Sequence, residues 1–201
     1  MKDVIDMLIG MTGNVGEGGP RSSRPQAKHN AQRSFEVLLE ADPEDTFPTA
    51  HRYAVALYTA ALQGCSSTAS DFYAELLAEE TEDDTTEKIL ELARASQTPG
   101  PYGTFKEPDL IQDSDPGPTV HYCISGVQGI PPKLAAALEF SHLLSLHPRD
   151  ASPQALLRLE EAGWNADEIV TLSQLVSFLS FQIRVVEGLS AVHEGGMREA
   201  S

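Results

Sequence analysis

The stretch that decides the fold is FPTAHRYAVALYTAALQGCSSTASDFYAELLAE, residues 47–79. Its first half places Leu57 and Ala61 on one apolar stripe at helical spacing, and Gly64 supplies a natural stop for that helix. A second helix over about 67–80 follows the Gly-Cys turn at once. No strand-rich region competes with this pattern elsewhere in the chain, so we predict an all-α fold.

Near the other end of the chain, residues 166–192 predict a long terminal helix. Asn165 and Glu168 have the spacing of a capping box at its start. Its apolar residues cover nearly all helix faces: Ile169, Leu172, Leu175, Val176, Phe178, Leu179, Phe181, Ile183, Val185, Val186 and Leu189. A helix that is apolar all round is buried on all sides. One chain of this size can hardly supply that cover, so we predict a homo-oligomer, with dimer, trimer and hexamer all open.

The helical segments fall into two halves of a single domain over 1–201. The first half is 23–96 and the second is 132–193, and the linker 97–131 between them is rich in proline and glycine. No periodicity is found in the linker beyond a short extended piece at Thr119–Ile124. A stretch of this length without structure is expected to be functional or to wrap a partner subunit.

The charge and the cysteine content exclude several classes of protein. The net charge is −16, with 30 acidic and 14 basic residues, which repels phosphate backbones and anionic membrane surfaces. Cys65 and Cys123 fit neither a disulfide framework nor a structural zinc site. An arginine at position 184 is unfavourable within a membrane span. We therefore predict a cytoplasmic protein that binds neither nucleic acid nor membrane.

The segment ALLRLEEAGWNADEIVTLSQLVSFLSFQIRVVEGL, residues 155–189, is similar to the closing helix pair of the alkylhydroperoxidase D / carboxymuconolactone decarboxylase superfamily. Residues 23–95 resemble the half that carries the redox motif in its peroxidases, and the phrase at His147–Asp150 is typical of a subgroup with a long Pro/Gly linker. The resemblance implies the helical fold of that superfamily.

Peroxidases of this superfamily carry Glu, Cys-x-x-Cys and His at fixed spacings. When their first cysteine is aligned with Cys65, the second falls on Thr68, the histidine on Phe72 and the glutamate on Tyr53. Threonine forms no disulfide, and phenylalanine moves no proton. Tyrosine, with a reference pKa near ~10, is a poor base at neutral pH. The resemblance therefore implies a degenerate member without two-thiol peroxidase activity.

Metal and cofactor sites are not expected. Glu139-x-x-His142 has the spacing of half a di-iron carboxylate pair, but the chain contains it only once. His142 and His147 are five residues apart and do not share a helix face. His121-x-Cys123 offers too few ligands for zinc. We predict no metal and no cofactor.

The first functional hypothesis is a protein that binds a small organic molecule in a helix-lined pocket. The resemblance places Tyr53, Tyr58, His142, Gln182 and Arg184 as candidate pocket residues, with Arg184 buried and in need of a partner.

Turnover of that molecule stays open, with His142 or His51 as acid–base groups of a decarboxylase-like lyase. A second hypothesis is a residual oxidoreductase that uses Cys65 as its nucleophile at a helix N-terminus, with Cys123 resolving it. A third is an oligomeric scaffold whose linker wraps a neighbouring subunit.

Overall fold

The computed structural model describes residues 3–10, 21–40, 45–64, 67–81, 84–118 and 122–199. Over these ranges the chain is helical and contains no β-strand, which confirms the predicted all-α fold. The α-helices are α1 (Val4–Leu8), α2 (Pro25–Leu39), α3 (Thr49–Gln63), α4 (Ser67–Glu80), α5 (Thr85–Ser96), α6 (Pro132–Leu146), α7 (Pro153–Glu161) and α8 (Ala166–Glu199). Short 3-10 helices lie at Pro108–Asp113 and Pro148–Asp150.

Helix α3 is the central helix of the fold. It packs against α2, α4, α5, α6 and α8, and every residue from Arg52 to Leu62 is buried. Its run of alanines lets the neighbouring helices approach closely, and alanine is the strongest helix former. Gly64 ends α3 in the left-handed conformation, with φ of 65°, as expected of a glycine stop. The sequence pattern predicted one broad apolar stripe on α3. In the structure, neighbouring helices cover α3 on all sides from Arg52 to Leu62.

Helix α8 has one buried and one exposed face. Leu172, Leu179 and Ile183 are fully buried, whereas Val170 and Phe181 on the opposite face are 56% and 50% exposed. The prediction that this helix is buried on all sides is therefore wrong. Polar side chains also lie on the exposed face, so the other helices of the chain need to cover only the buried face of α8. The homo-oligomer stays a prediction.

By length and composition alone, Ala166–Val192 is apolar enough to cross a membrane, with a mean hydropathy of 1.6. A core helix of a globular fold meets the same criteria. This helix packs on α1, α2, α3, α6 and α7.

The capping box at the start of α8 forms as the sequence predicts. The N–H of Glu168 donates to Asn165 Oδ1 at 3.0 Å, and the N–H of Asn165 donates to Glu168 Oε2 at 2.8 Å. Lys133 at the start of α6 adds an ion pair to Glu168 Oε1 at 2.7 Å. Trp164 donates from Nε1 to the Lys133 carbonyl at 2.8 Å, so the α7–α8 corner is fixed to the first turn of α6.

The linker 97–131 has more structure than its composition predicts. The N–H of Tyr102 donates to the Leu146 carbonyl at the end of α6 at 2.8 Å. Gly103 and Asp115 exchange backbone hydrogen bonds of 2.7 and 3.2 Å around the 3-10 turn between them. A Cβ on Gly117 would lie 2.1 Å from the Tyr102 ring, so only glycine fits there. The linker thus folds back on the end of α6. Residues 119–121 of the predicted extended piece lie outside the described residues.

Candidate functional site

A cavity of about 290 Å³ lies beside α6, between that helix, α7 and the linker. Its apolar wall is formed by Pro118, Ala136, Phe140, Leu143 and Ala155. Its polar wall carries Tyr122, Glu139, His142, His147, Asp150 and Arg158. The cavity therefore combines apolar surface with convergent polar groups, which is the usual composition of a small-molecule site.

His142 is the most buried titratable residue in the polar wall, with 4% of its surface exposed. Its Nε2 lies 3.2 Å from the Ser96 carbonyl oxygen at the end of α5, and its Nδ1 lies 3.2 Å from His147 Nε2. The ring of Tyr122 stacks on the His142 ring, with 5.1 Å between the centroids and 23° between the planes. Both imidazole nitrogens of His142 thus have protein partners.

His147 lies beyond the end of α6, which closes at Leu146, and its own N–H donates to the Leu143 carbonyl as the cap of that helix. Its ring stacks parallel to the Tyr102 ring at 5.0 Å. Its Nδ1 lies 3.4 Å from Asp150 Oδ2. Because His147 lies beyond the end of α6, the helical-face prediction does not apply to it, and its ring contacts that of His142.

Tyr58 supports the site from behind without lining the cavity. The Ser96 hydroxyl donates to the Leu92 carbonyl at 2.9 Å, so the Tyr58 hydroxyl is the donor in its 3.0 Å contact with Ser96 Oγ. Burial raises the pKa of Tyr58, with the hydrogen bond to Ser96 opposing it. Tyr58 is therefore a neutral donor, and it contacts the same residue as His142: Tyr58 bonds the Ser96 hydroxyl and His142 lies against the Ser96 carbonyl. The structure brings these two predicted residues together.

Glu139 holds the loop in front of α6. Its Oε1 accepts the N–H groups of Ile124 at 2.6 Å and Ser125 at 2.9 Å. Those contacts fix the segment after Tyr122 against the cavity. Among the described residues, no group of three or more His, Cys, Asp or Glu side chains is arranged to hold a metal ion.

Tyr53 and Gln182 lie in the core near α4, apart from the residues that line the cavity. Gln182 is fully buried, and its Oε1 accepts a hydrogen bond of 2.5 Å from the Tyr73 hydroxyl. Its Nε2 has no hydrogen-bond partner in the described part of the chain. Burial, followed by the charges of three glutamates, raises the pKa of Tyr53, which keeps this phenol neutral. Tyr53 therefore lacks the charge that a catalytic glutamate would supply.

Arg184 and Phe72 do not line the cavity. Arg184 is exposed, and its guanidinium donates to the Ser180 carbonyl at 3.2 Å, so the expectation that Arg184 is buried and in need of a partner is wrong. Phe72 packs on Phe35 with 6.2 Å between ring centroids. Cys65 lies outside the described residues, and Cys123 is exposed with a free thiol.

His51 does not line the cavity, and we expect its contribution to the stability of the fold to depend on pH. Burial, with the charge of Lys133 as the second cause, lowers the pKa of His51. As the pH falls below about 6.5, His51 therefore takes up a proton in the unfolded chain before it does so in the folded protein. The stability from neutral His51 is therefore complete above that pH and is lost as the pH falls towards the lowered pKa. We expect His51→Gln to lose less stability than the wild type between about pH 7.5 and pH 5.5 in urea unfolding.

The exposed His29 provides the matched control for that measurement. We expect His29→Gln to follow the wild-type profile. If His51→Gln and the wild type lose the same stability on acidification, the assignment of a neutral buried imidazole at position 51 is contradicted.

Comparison with known proteins adds no relative. No protein-family model matches the chain, and neither a curated protein nor a solved structure matches it. The fold and the cavity define an all-α protein with a partly polar pocket beside α6. The likeness to the alkylhydroperoxidase D / carboxymuconolactone decarboxylase superfamily stays an interpretation of the sequence motifs.

Proposed function

We propose that this protein binds a small organic molecule in the cavity beside α6. The observation that carries the proposal is the pair of contacting imidazoles, His142 and His147, in the polar wall of a cavity whose other wall is apolar. Buried polar groups in an apolar wall fix the orientation of a ligand, while the apolar surface supplies most of the binding free energy.

The size of the cavity limits the ligand. A volume of about 290 Å³ lies just below the range of roughly 300–1,000 Å³ that is common for ligand sites. Leu143 and Phe140 offer apolar contact, and Tyr122 offers aromatic surface. The ligand class is therefore a compact molecule with a largely apolar or aromatic body and one or two polar groups.

The proposal includes the loss of two-thiol peroxidase chemistry. Thr68 stands where a resolving thiol would be, and Phe72 packs among aromatic side chains where a proton-relay histidine would be. If the bound molecule is turned over, acid–base chemistry by the imidazoles is the route that the residues offer. A homo-oligomer with the fold of the alkylhydroperoxidase D type remains part of this proposal.

Binding is tested with three probes of different chemistry: indole, benzoate and cyclohexanone. We expect at least one to shift the amide resonances of Tyr122 and Leu143 with a Kd on the order of 1 mM, which suits a ligand of so few atoms. Ala155→Phe places a ring in the cavity and is expected to weaken that binding at least tenfold. NMR titration measures both.

Gln154→Phe is the matched control, since Gln154 is the exposed neighbour of Ala155 on α7 and does not line the cavity. This variant should bind the probe as the wild type does. Equal affinity of the probe for Ala155→Phe and the wild type would show that the cavity is not the binding site.

A further inference from the structure

The exposed face of α8 is a continuous stripe along the helix. Its members are exposed residues that recur alternately three and four positions apart: Asp167, Val170, Gln174, Ser177, Phe181 and Arg184. This spacing keeps the stripe on one side of the helix over about 26 Å, and it is the spacing by which two helices pair side by side. Val170 and Phe181 are its large apolar members, and each is at least half exposed.

A groove of about 560 Å³ lies between α2 and the middle of this stripe. Gln174 and Ser177 belong to both the groove and the stripe. Val37 lines the groove from α2 and is 54% exposed, so its apolar surface is open to solvent. On α8 the groove extends over residues 173–178, and its centre is therefore level with the point midway between Gln174 and Ser177.

The stripe carries opposite charges at its two ends. Asp167 lies in the first turn of α8, and Arg184 lies about 26 Å further along the helix. The guanidinium of Arg184 donates to the Ser180 carbonyl on its own helix. Neither Asp167 nor Arg184 forms an ion pair with another described residue. Each end of the stripe therefore offers a charge to a partner outside the chain.

We infer that the exposed face of α8 is the interface of a two-fold symmetric dimer, in which α8 of one copy lies antiparallel to α8 of the other. In one register, Phe181 of one copy packs on Val170 of the other, and Arg184 faces Asp167. Gln174 then faces Ser177 across the symmetry axis, and every contact occurs twice. The axis passes through the centre of the groove, so the second copy also covers the open apolar wall of α2.

Other arrangements of the two helices lose these pairs. A parallel pair places Arg184 against Arg184 and Asp167 against Asp167, and like charges repel. An antiparallel pair shifted by seven residues towards the C-terminus places Phe181 opposite Ser177 and Arg184 opposite Gln174. The apolar pair and the charge pair therefore specify the same register, which is how paired helices select one arrangement.

The dimer is a specific form of the homo-oligomer in the proposed function, on which it rests. The net charge of −16 opposes association of two copies. The paired charges of the stripe offset that repulsion locally, since each dimer contains two Arg184–Asp167 pairs. The stripe and the cavity beside α6 share no residue, so dimerisation and probe binding are measured independently.

Sedimentation equilibrium of the ligand-free full chain tests the dimer. We expect the wild type to have the mass of two chains at about 0.1 mM. Arg184→Glu places a glutamate against Asp167 twice in each dimer and is expected to raise the dimer Kd at least about tenfold. Asp167→Arg should weaken the dimer to a similar extent, although it lowers the net negative charge. The double variant Asp167→Arg/Arg184→Glu exchanges the charges and should return the Kd to within about threefold of the wild type.

Arg94→Glu is the matched control, since Arg94 is an exposed arginine on α5 and undergoes the same change of charge. Its dimer Kd should equal that of the wild type, and circular dichroism checks that all variants are folded. A wild-type mass other than that of two chains would overturn the inference. So would equal Kd values for Arg184→Glu and Arg94→Glu, or a double variant that stays as weak as the single ones.

The NMR titration with the three probes keeps this test separate from that of the cavity. Monomeric Arg184→Glu should bind the probe with the affinity of the wild type, because Arg184 does not line the cavity. Failure of the dimer therefore appears in the sedimentation data, and failure of the proposed ligand site appears in the titration.

Discussion

Replacement of Arg52 by methionine is expected to lower the free energy of unfolding by about 3–5 kcal/mol. The Arg52 side chain is almost fully buried. Its Nε donates to the Phe47 carbonyl at 2.9 Å, and one terminal nitrogen donates to the Leu38 carbonyl at 2.7 Å. The other terminal nitrogen pairs with Asp45 Oδ2 at 2.7 Å.

The large effect has a specific physical reason. The Leu38 carbonyl belongs to the last turn of α2, where carbonyls have no partner within the helix. Arg52 therefore caps α2 from α3 and also binds Asp45 and the Phe47 carbonyl just before α3. Methionine keeps much of the aliphatic volume but leaves two buried carbonyls without a donor. Urea unfolding followed by circular dichroism measures the loss.

Arg33 is the matched control, because it is an arginine on α2 that is 66% exposed and pairs with Glu36 at 3.3 Å. Arg33→Met should change stability little, since exposed ion pairs contribute little. Similar losses in Arg52→Met and Arg33→Met would contradict the capping role of Arg52.

Truncation of Leu179 to alanine is the second large effect, with an expected loss of about 2–5 kcal/mol. Leu179 is fully buried on the face of α8 that packs into the core. Its removal leaves a cavity that the surrounding helices fill only in part. Chemical denaturation at a protein concentration where the chain is monomeric gives the value.

Phe181 is two residues away and 50% exposed, so Phe181→Ala tests the orientation of the helix. We expect this truncation to cost clearly less than that of Leu179, although phenylalanine is the larger side chain. A greater loss of stability for Phe181→Ala would contradict this orientation of α8, because it would place Phe181 rather than Leu179 in the core.

Local features of the fold were predictable from the sequence. The Gly64 stop and the Asn165–Glu168 capping box are formed by residues close together in the chain, so their chemistry is readable without the fold. The helical spacing of apolar residues in α3 and α4 predicted the all-α class, because this spacing can also be read without knowledge of the fold. The exposed face of α8 was missed because apolar side chains occur on both of its faces.

The site was only partly predictable. His142 was identified, but its partners Ser96 and His147 were not. The contact with Ser96 joins α5 to α6 over 46 residues, and no spacing rule reaches that far. The spacing of His142 and His147 predicted no shared helix face, but α6 ends at Leu146, so His147 is not on the helix. The proline at position 148 was the available signal, since the residue before a proline disfavours the helical conformation.

The cavity also depends on the linker. Tyr102 and Tyr122 reach the two histidines only because the linker folds back on α6. A composition rich in proline and glycine predicts that the linker is not helical, but it does not predict which part of the fold the linker packs against. The linker therefore belongs to the site, and its role was readable only from the structure.

A crystal structure of the protein with the tightest-binding of the three probes tests the central claim most directly. The account predicts electron density for the probe in the cavity beside α6, between Leu143 and Ala155 and in contact with the His142–His147 pair. A second, more open depression lies between α2 and α8, at Val37 and Ser177. Density for the probe in that groove, with the cavity beside α6 empty, would contradict the account.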